Sequence, residues 1–285
     1  MQDMRKFKPL IEVDDDSLKI PEVGNWSTKK WSLMGAYCDI FTNGMRNMWN
    51  QLVYIDLFAG SGFARIKNTN RIYYSSPLIA LSVPIKFDKY IFCEKDPELL
   101  FALKKRVTRL FPDQNVSFVL GDANDEIEEI RNLMPAYSKG NTRLPFCFVD
   151  PFSLELRFKT IQTLGQDLMD FLILMALYMD ANRNLNNYLN DNNDKIALFT
   201  GDNNWRSEFV GYENKQRDFI KYLSDKYDQN MMDLGYIKPA NKHLVRIASS
   251  NLPLYYLAFY TKHNRGNDFY KKVKKTATGQ TELGL

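Results

Sequence analysis

Histidine and cysteine are scarce in this sequence. The 285 residues hold two histidines, His243 and His263, and three cysteines, Cys38, Cys93 and Cys147. With so few imidazoles and no His-Glu-x-x-His, the chain argues against a histidine-rich zinc centre, and no metal site is expected. The cysteines are far apart, show no metal-ligand spacing and lie in apolar segments. An odd count gives no disulfide framework, so they read as buried free thiols in a reducing cytosol. No Gly-x-x-x-x-Gly-Lys-Ser/Thr occurs, which disfavours P-loop chemistry. No apolar run reaches the roughly 18 to 20 residues that span a bilayer. The N-terminus lacks the apolar core of a secretory signal. A cytoplasmic protein with no membrane partner is expected. Its net charge of +4 permits a polyanionic partner without requiring one.

What is present suits a full-sized core: 45% of residues are hydrophobic and 14% aromatic, enough for one large domain or one domain with an insertion. Residues 1–22 are polar and read as an arm that orders only if it docks. Apolar residues recur at helical spacing from Trp26 to Trp49, with Ser27 or Thr28 as a cap. Short apolar runs then end at acidic or turn residues: Leu52–Leu57, Tyr90–Cys93, Val116–Leu120, Phe146–Val149 and Phe171–Met175. Helical stretches such as Pro97–Phe111 and Asp125–Met134 lie between them, the pattern of a largely parallel α/β sheet. This core spans 23–179. Residues 180–240, rich in Asn, Asp and Lys, read as a helical insertion or cap. Residues 241–285 hold two strand-like runs, Leu244–Ala248 and Leu254–Tyr260, spaced as an antiparallel hairpin, then a basic tail with Lys271, Lys272, Lys274 and Lys275. That tail fits a phosphate-contacting surface or a solvated end.

The first core strand runs into Asp56-Leu57-Phe58-Ala59-Gly60-Ser61-Gly62. An acidic strand end, small residues and glycines leading to a helix allow close backbone approach to a ligand at the carboxyl edge of an open sheet. The same pattern also suits a tight turn without a ligand. Glu94 ends the second strand, where a carboxylate can accept bonds from two ribose hydroxyls. Asp122 follows the third, where it could meet an adenine amine or cap a turn. A dinucleotide site fits less well. Arg65 replaces the third glycine of Gly-x-Gly-x-x-Gly, and Glu94 lies beyond the usual interval of about 20 residues. Three acidic strand ends in this order suit an adenosyl cofactor.

Asp56–Gly62 resembles the cofactor signature of class I S-adenosylmethionine-dependent methyltransferases, especially those acting on exocyclic amines of nucleobases. More closely, the chain resembles the three-Cys-motif partner proteins. The likeness rests on Trp26-Ser27-x-Lys29-Lys30, Tyr54–Gly62, Ser76-Pro77, Glu94-Lys95-Asp96, Gly121-Asp122-Ala123-Asn124, Phe148–Phe152 and Tyr255–Phe259 leading to Lys262-His263 and Gly266. It covers roughly residues 23–275. It implies a Rossmann-like class I methyltransferase fold of about seven strands, mostly parallel, with a terminal antiparallel hairpin and a helical insertion. It also implies S-adenosylmethionine bound by Asp56, Phe58, Ala59, Gly60, Gly62, Glu94 and Asp122. A neighbouring three-cysteine protein would be the partner, and DNA or RNA a further one. By analogy with amine methylation, Asp150 and the carbonyl after it would hold the amine while Phe152 stacks on the base. Trp26 and Lys30 would cover the site, and Lys262 or His263 would contact phosphate. The chain departs from that pattern: Asp150-Pro151-Phe152 lacks the second proline of Asp-Pro-Pro-Tyr/Phe. A plain strand exit accounts for Asp150-Pro151 equally well. The alternative is an interaction subunit that supports its neighbour without catalysis.

Overall fold

In a computed structural model of the protein, residues 7–181, 184–212, 215–239, 242–247, 250–264 and 266 are described. Two short strands, β1 (Glu12–Val13) and β2 (Glu22–Val23), precede the long helix α1 (Ser27–Met45). Strand β3 (Gln51–Asp56) leads through the glycine turn to β4 (Phe63–Ile66) and β5 (Ile72–Tyr74), then α2 (Ser76–Ser82). Strands and helices then alternate: β6 (Lys89–Glu94), α3 (Pro97–Leu110), β7 (Val116–Leu120), α4 (Ile127–Asn132), β8 (Arg143–Val149), α5 (Phe158–Leu164) and β9 (Asp170–Met175). A π-helical turn, Leu177–Ala181, opens the inserted stretch, which carries α6 (Leu185–Tyr188), α7 (Lys195–Thr200), α8 (Trp205–Phe209) and α9 (Lys215–Asp233). The hairpin of β10 (His243–Arg246) and β11 (Pro253–Tyr260) follows.

The seven-stranded sheet has the order β10-β11-β9-β8-β3-β6-β7. Strands β7 through β9 are mutually parallel, and β11 runs antiparallel to both β9 and β10. This is the Rossmann-like sheet, mostly parallel with a terminal antiparallel hairpin, that the resemblance implied. Among the described residues no helix is long and apolar enough to cross a membrane.

Alternation along the central strands divides the core between two faces. Leu52 and Tyr54 of β3, Phe146 and Phe148 of β8, and Leu172 and Leu174 of β9 pack with α1 and α2. Val53 and Ile55, Cys147 and Val149, and Ile173 and Met175 turn the other way, against α5 and the inserted helices α7 to α9. All three cysteines are buried free thiols. Helix α1 crosses the first face. Tyr37, near its middle, packs on Phe146 and Phe259 with ring centroids 4.7 Å apart and donates to Asp170, the first residue of β9, at 2.9 Å. Its first turn therefore lies toward the carboxyl ends of the strands. Neither Ser27 nor Thr28 caps it: the helix starts at Ser27, and the Thr28 hydroxyl donates to the Asn25 carbonyl at 2.8 Å.

Two features depart from the expected course. The glycine turn leads into the β4–β5 hairpin, not into a helix. Phe63 and Tyr74 stack across that hairpin at 5.5 Å. The arm also docks, adding β1 and β2 to form a second sheet of order β1-β5-β4-β2. These strands of two residues carry too little alternation to register in a sequence pattern. The basic run Lys271–Lys275 and the expected strand end at Ala248 lie outside the described residues.

Candidate functional site at the carboxyl edge of the sheet

The parallel strands β3, β6, β7 and β8 end on one edge, and each is followed there by a carboxylate or ends in one: Asp56, Glu94, Asp122 and Asp150. Open α/β sheets bind ligands outside this edge. The glycine loop is an extension of the sheet at its start. Leu57 N–H donates to Phe148 O at 3.2 Å and Ala59 N–H to Cys93 O at 2.9 Å. Phe58 N–H turns back to Asp56 Oδ1 at 3.3 Å, and its side chain is half-buried on the second core face.

Asp56 is fully buried. Besides Phe58 N–H, it accepts from the Tyr54 hydroxyl at 3.2 Å and from the Ser76 side chain. Burial pushes its carboxyl up to about 7, and the charge of Asp150 adds to the rise. Asp56 is thus a brace beneath the loop. Glu94 grips the loop from the side: one carboxylate oxygen accepts from Gly60 N–H at 2.8 Å and the other from Asp96 N–H at 2.9 Å. Asp96 then caps α3 by accepting from Glu98 and Leu99. Gly60 has φ +63°, and a Cβ there would meet nothing within 4 Å, so its outer face is open. Gly62 is different. At φ +84° its α-carbon backs onto α2 and α3, where a Cβ would stand 2.9 Å from Leu103 and 3.0 Å from Leu78.

Asp122 Oδ1 accepts from both the backbone and the side-chain amide of Asn124, at 2.9 and 2.8 Å. Asn124 in turn donates to Glu155 O and accepts from Arg157 N–H and the Thr160 hydroxyl, joining this turn to the segment after β8. The edge is strongly acidic. Burial and then the charges of Glu94, Asp122, Glu126 and Asp56 push the nearby Cys93 thiol up to about 12. A cation is favoured in such a place.

At the end of β8 the geometry is specific. Lys30 Nζ from the first turn of α1 lies 2.5 Å from Asp150 Oδ2, with both side chains mostly buried. Pro151 is buried, while Phe152 is 86% exposed and projects from the edge. Ser153 accepts from Lys195 at 3.1 Å, and Leu154 N–H donates at 3.0 Å to Asp180. Asp180 sits in the π-helical turn and also accepts from Asn184 and Tyr188. Tyr255, at the start of β11, is buried near this corner. Its hydroxyl has no hydrogen-bond partner among the described residues, and burial, with the Asp150 charge second, pushes it well above the ordinary tyrosine range.

The structure therefore brings together Asp56, Phe58, Ala59, Gly60, Gly62, Glu94, Asp122 and Asp150–Phe152 on one edge, with Lys30 above Asp150. The Trp26 ring lies over Gly24. Lys262 and His263 do not join the site. They follow β11, whose end pairs with the start of β9, so they lie at the opposite edge. There Lys262 donates to Gly165 O at 2.6 Å. The sequence assigns no site role to three residues that the fold places here. Asn124 and Asp180 sit in polar stretches typical of any loop, and Tyr255 in an apolar run that reads as core. Among the described residues no group of three His, Cys, Asp or Glu side chains is placed to hold a metal ion.

No family model matches the chain, and no curated protein matches it. Solved structures do resemble it in fold. LPL1258 from Legionella pneumophila aligns over 90% of this chain and 93% of its own, with a TM-score of 0.50 and 10% identity. Trm1 from Pyrococcus horikoshii, solved with S-adenosyl-L-methionine, aligns over 91% of this chain and 63% of its own, with a TM-score of 0.42 and 12% identity.

Proposed function

We propose that the protein is an S-adenosylmethionine-dependent methyltransferase whose acceptor is an exocyclic amine of a DNA or RNA base. The observation that carries this reading is the convergence of the open face of Gly60, the Glu94 carboxylate beside it and Asp150 at the next-but-one strand end. The fit to an adenosyl cofactor is chemical. Each carboxylate oxygen has two lone pairs, so Glu94 can hold Gly60 and Asp96 and still accept from ribose hydroxyls. Asp122 would meet the adenine amine, and the acidic edge suits a sulfonium. The Ser75 hydroxyl, beside the glycine loop, is a buried polar atom without a partner among the described residues. When bound, the cofactor supplies an electrophilic methyl carbon. Asp150 and the carbonyl after it accept the hydrogen bonds of the amine and aim its lone pair, and the exposed Phe152 ring stacks on the base. Positioning and electrostatics provide the rate enhancement.

Calorimetry with S-adenosylmethionine, followed by incubation with labelled methyl donor and mixed DNA and RNA, tests the proposal. Binding together with labelled nucleic acid supports it, and folded protein that binds no cofactor refutes it.

One observation favours a second reading. Lys30 already occupies Asp150, where the acceptor amine would donate. An interaction subunit that holds the cofactor and supports a three-cysteine protein partner needs no free carboxylate there. Cofactor binding with no transfer to any acceptor, combined with capture of that partner, would favour this alternative.

A further inference from the structure

Arg106 lies on the buried side of α3, and its side chain is wholly inaccessible. A buried guanidinium is costly unless its fork is satisfied. Here it is satisfied from two directions. Asp16 of the N-terminal arm takes Nε at 3.0 Å and Nη2 at 2.6 Å. The carbonyl of Ser61, between the two glycines of the loop, accepts from Nη1 at 2.8 Å, and Lys19 O shares that nitrogen at 3.1 Å. The guanidinium also lies 4.1 Å from the ring centroid of Phe63, the residue after the loop.

We infer that Arg106 is a positioning residue of the cofactor loop, and that Asp16 makes the arm an integral part of that site. In a trans peptide the carbonyl and the next N–H point in opposite directions. Holding the Ser61 carbonyl toward Arg106 therefore fixes the direction of the Gly62 N–H. Gly62, whose φ is free of side-chain restraint, would otherwise let this peptide turn at little cost. Asp16 holds the guanidinium in register, so an undocked arm would leave the loop peptide without its anchor. This rests on reading the loop as the cofactor site.

The test compares full-length wild type with Arg106→Lys, Asp16→Asn, Asp16→Glu and Glu12→Ala. Lysine keeps a charge for Asp16 but cannot fork to the Ser61 carbonyl as well. Glu12→Ala removes an arm contact, the exposed pair with Arg71 at 2.9 Å, without touching the loop. Calorimetry measures S-adenosylmethionine affinity, hydrogen exchange follows residues 58–63, and thermal melting reports stability. The expected result is roughly tenfold weaker binding for Arg106→Lys and Asp16→Asn, the size of one lost charged hydrogen bond. Exchange in the loop should be faster in both, with partial recovery in Asp16→Glu and wild-type affinity in Glu12→Ala. Affinity within twofold of wild type in the first two variants, or losses that track melting temperature in all of them, overturns the inference. Wild type that binds no cofactor defeats the proposed function instead. Exchange at 58–63 then still decides whether Arg106 holds the loop, and unchanged exchange in Arg106→Lys overturns it.

Discussion

Lys30 Nζ and Asp150 Oδ2 stand 2.5 Å apart at the end of β8, and neither side chain is more than about an eighth exposed. The pair joins α1 to the strand exit that the proposed chemistry depends on. Removing one member leaves a mostly buried charge uncompensated, which costs about 2 kcal/mol once residual solvent access is allowed for. Lys30→Met and Asp150→Ala are each expected to lose about that much in urea unfolding, and the double variant is expected to lose no more than either single one. Additive losses would show that the two charges do not depend on one another.

The chemistry separates from the structure at Asp150→Asn. The amide keeps the shape of the side chain but puts a donor where the acceptor amine needs an acceptor. Methyl transfer is expected to fall by roughly two orders of magnitude or more, as when a hydrogen-bonding group is lost from a transition state. Calorimetric affinity for S-adenosylmethionine is expected to stay within about threefold. Transfer at the wild-type rate would assign Asp150 to the strand exit alone.

Glu94→Gln addresses the cofactor. Glutamine can still take Gly60 N–H through its one remaining oxygen, but it loses an anionic acceptor for ribose hydroxyls. Hydrogen bonds to a charged group contribute about 1.5–3 kcal/mol, so affinity is expected to weaken by roughly 10- to 100-fold. Calorimetry of the variant with S-adenosylmethionine reads this directly. Affinity equal to wild type would leave Glu94 with the backbone role it has toward Gly60 and Asp96.

The sheet was legible because its strands are long, apolar and closed by acidic residues. Leu52–Leu57 was read one residue out of phase with Gln51–Asp56, and Asp56, Glu94 and Asp122 fell on the edge where their order put them. What escaped notice depends on partners distant in sequence. Arg106 follows Leu103 by three residues on the stripe that α3 buries, an unusual place for a guanidinium. Only the fold shows that its counter-charge is Asp16, a member of the polar run Asp14–Asp16. The β4–β5 hairpin was hidden for a similar reason: its short strands are held by a docked arm that local pattern treats as solvent-exposed.

The two loop glycines should respond unequally to alanine. At Gly60 a Cβ enters open space, so Gly60→Ala bears only the strain of a positive φ, about 1 kcal/mol. At Gly62 it also meets Leu103 and Leu78 at 2.9 and 3.0 Å, and the helices must shift. A further loss of about 1–3 kcal/mol is expected. Cofactor affinity should reverse the order, because the Gly60 methyl group projects from the open face toward the proposed ligand while the Gly62 methyl group points into the core. Urea unfolding and calorimetry on both variants check the crossover, and a variant that leads in both losses would contradict it.

Asp170 gives the fold a pH dependence of unusual sign. Burial pushes its carboxyl up to about 6, from an ordinary value of 3.8, even though hydrogen bonds from Thr261 and Tyr37 pull the other way. The folded chain therefore holds this proton more tightly than the unfolded one. The resulting stabilisation is complete below about 3.8 and is lost as pH rises through 6, a loss of about 3 kcal/mol. Asp56, pushed up to about 7 by burial, loses its share over the same range and slightly beyond. Asp170→Asn keeps an oxygen for Tyr37 and cannot ionise. It should leave the protein more stable than wild type at pH 8 and should flatten the decline in urea stability between pH 4 and 6, with the part owed to Asp56 remaining up to pH 7. Parallel pH profiles for the two proteins would mean that Asp170 ionises in the fold as readily as in water.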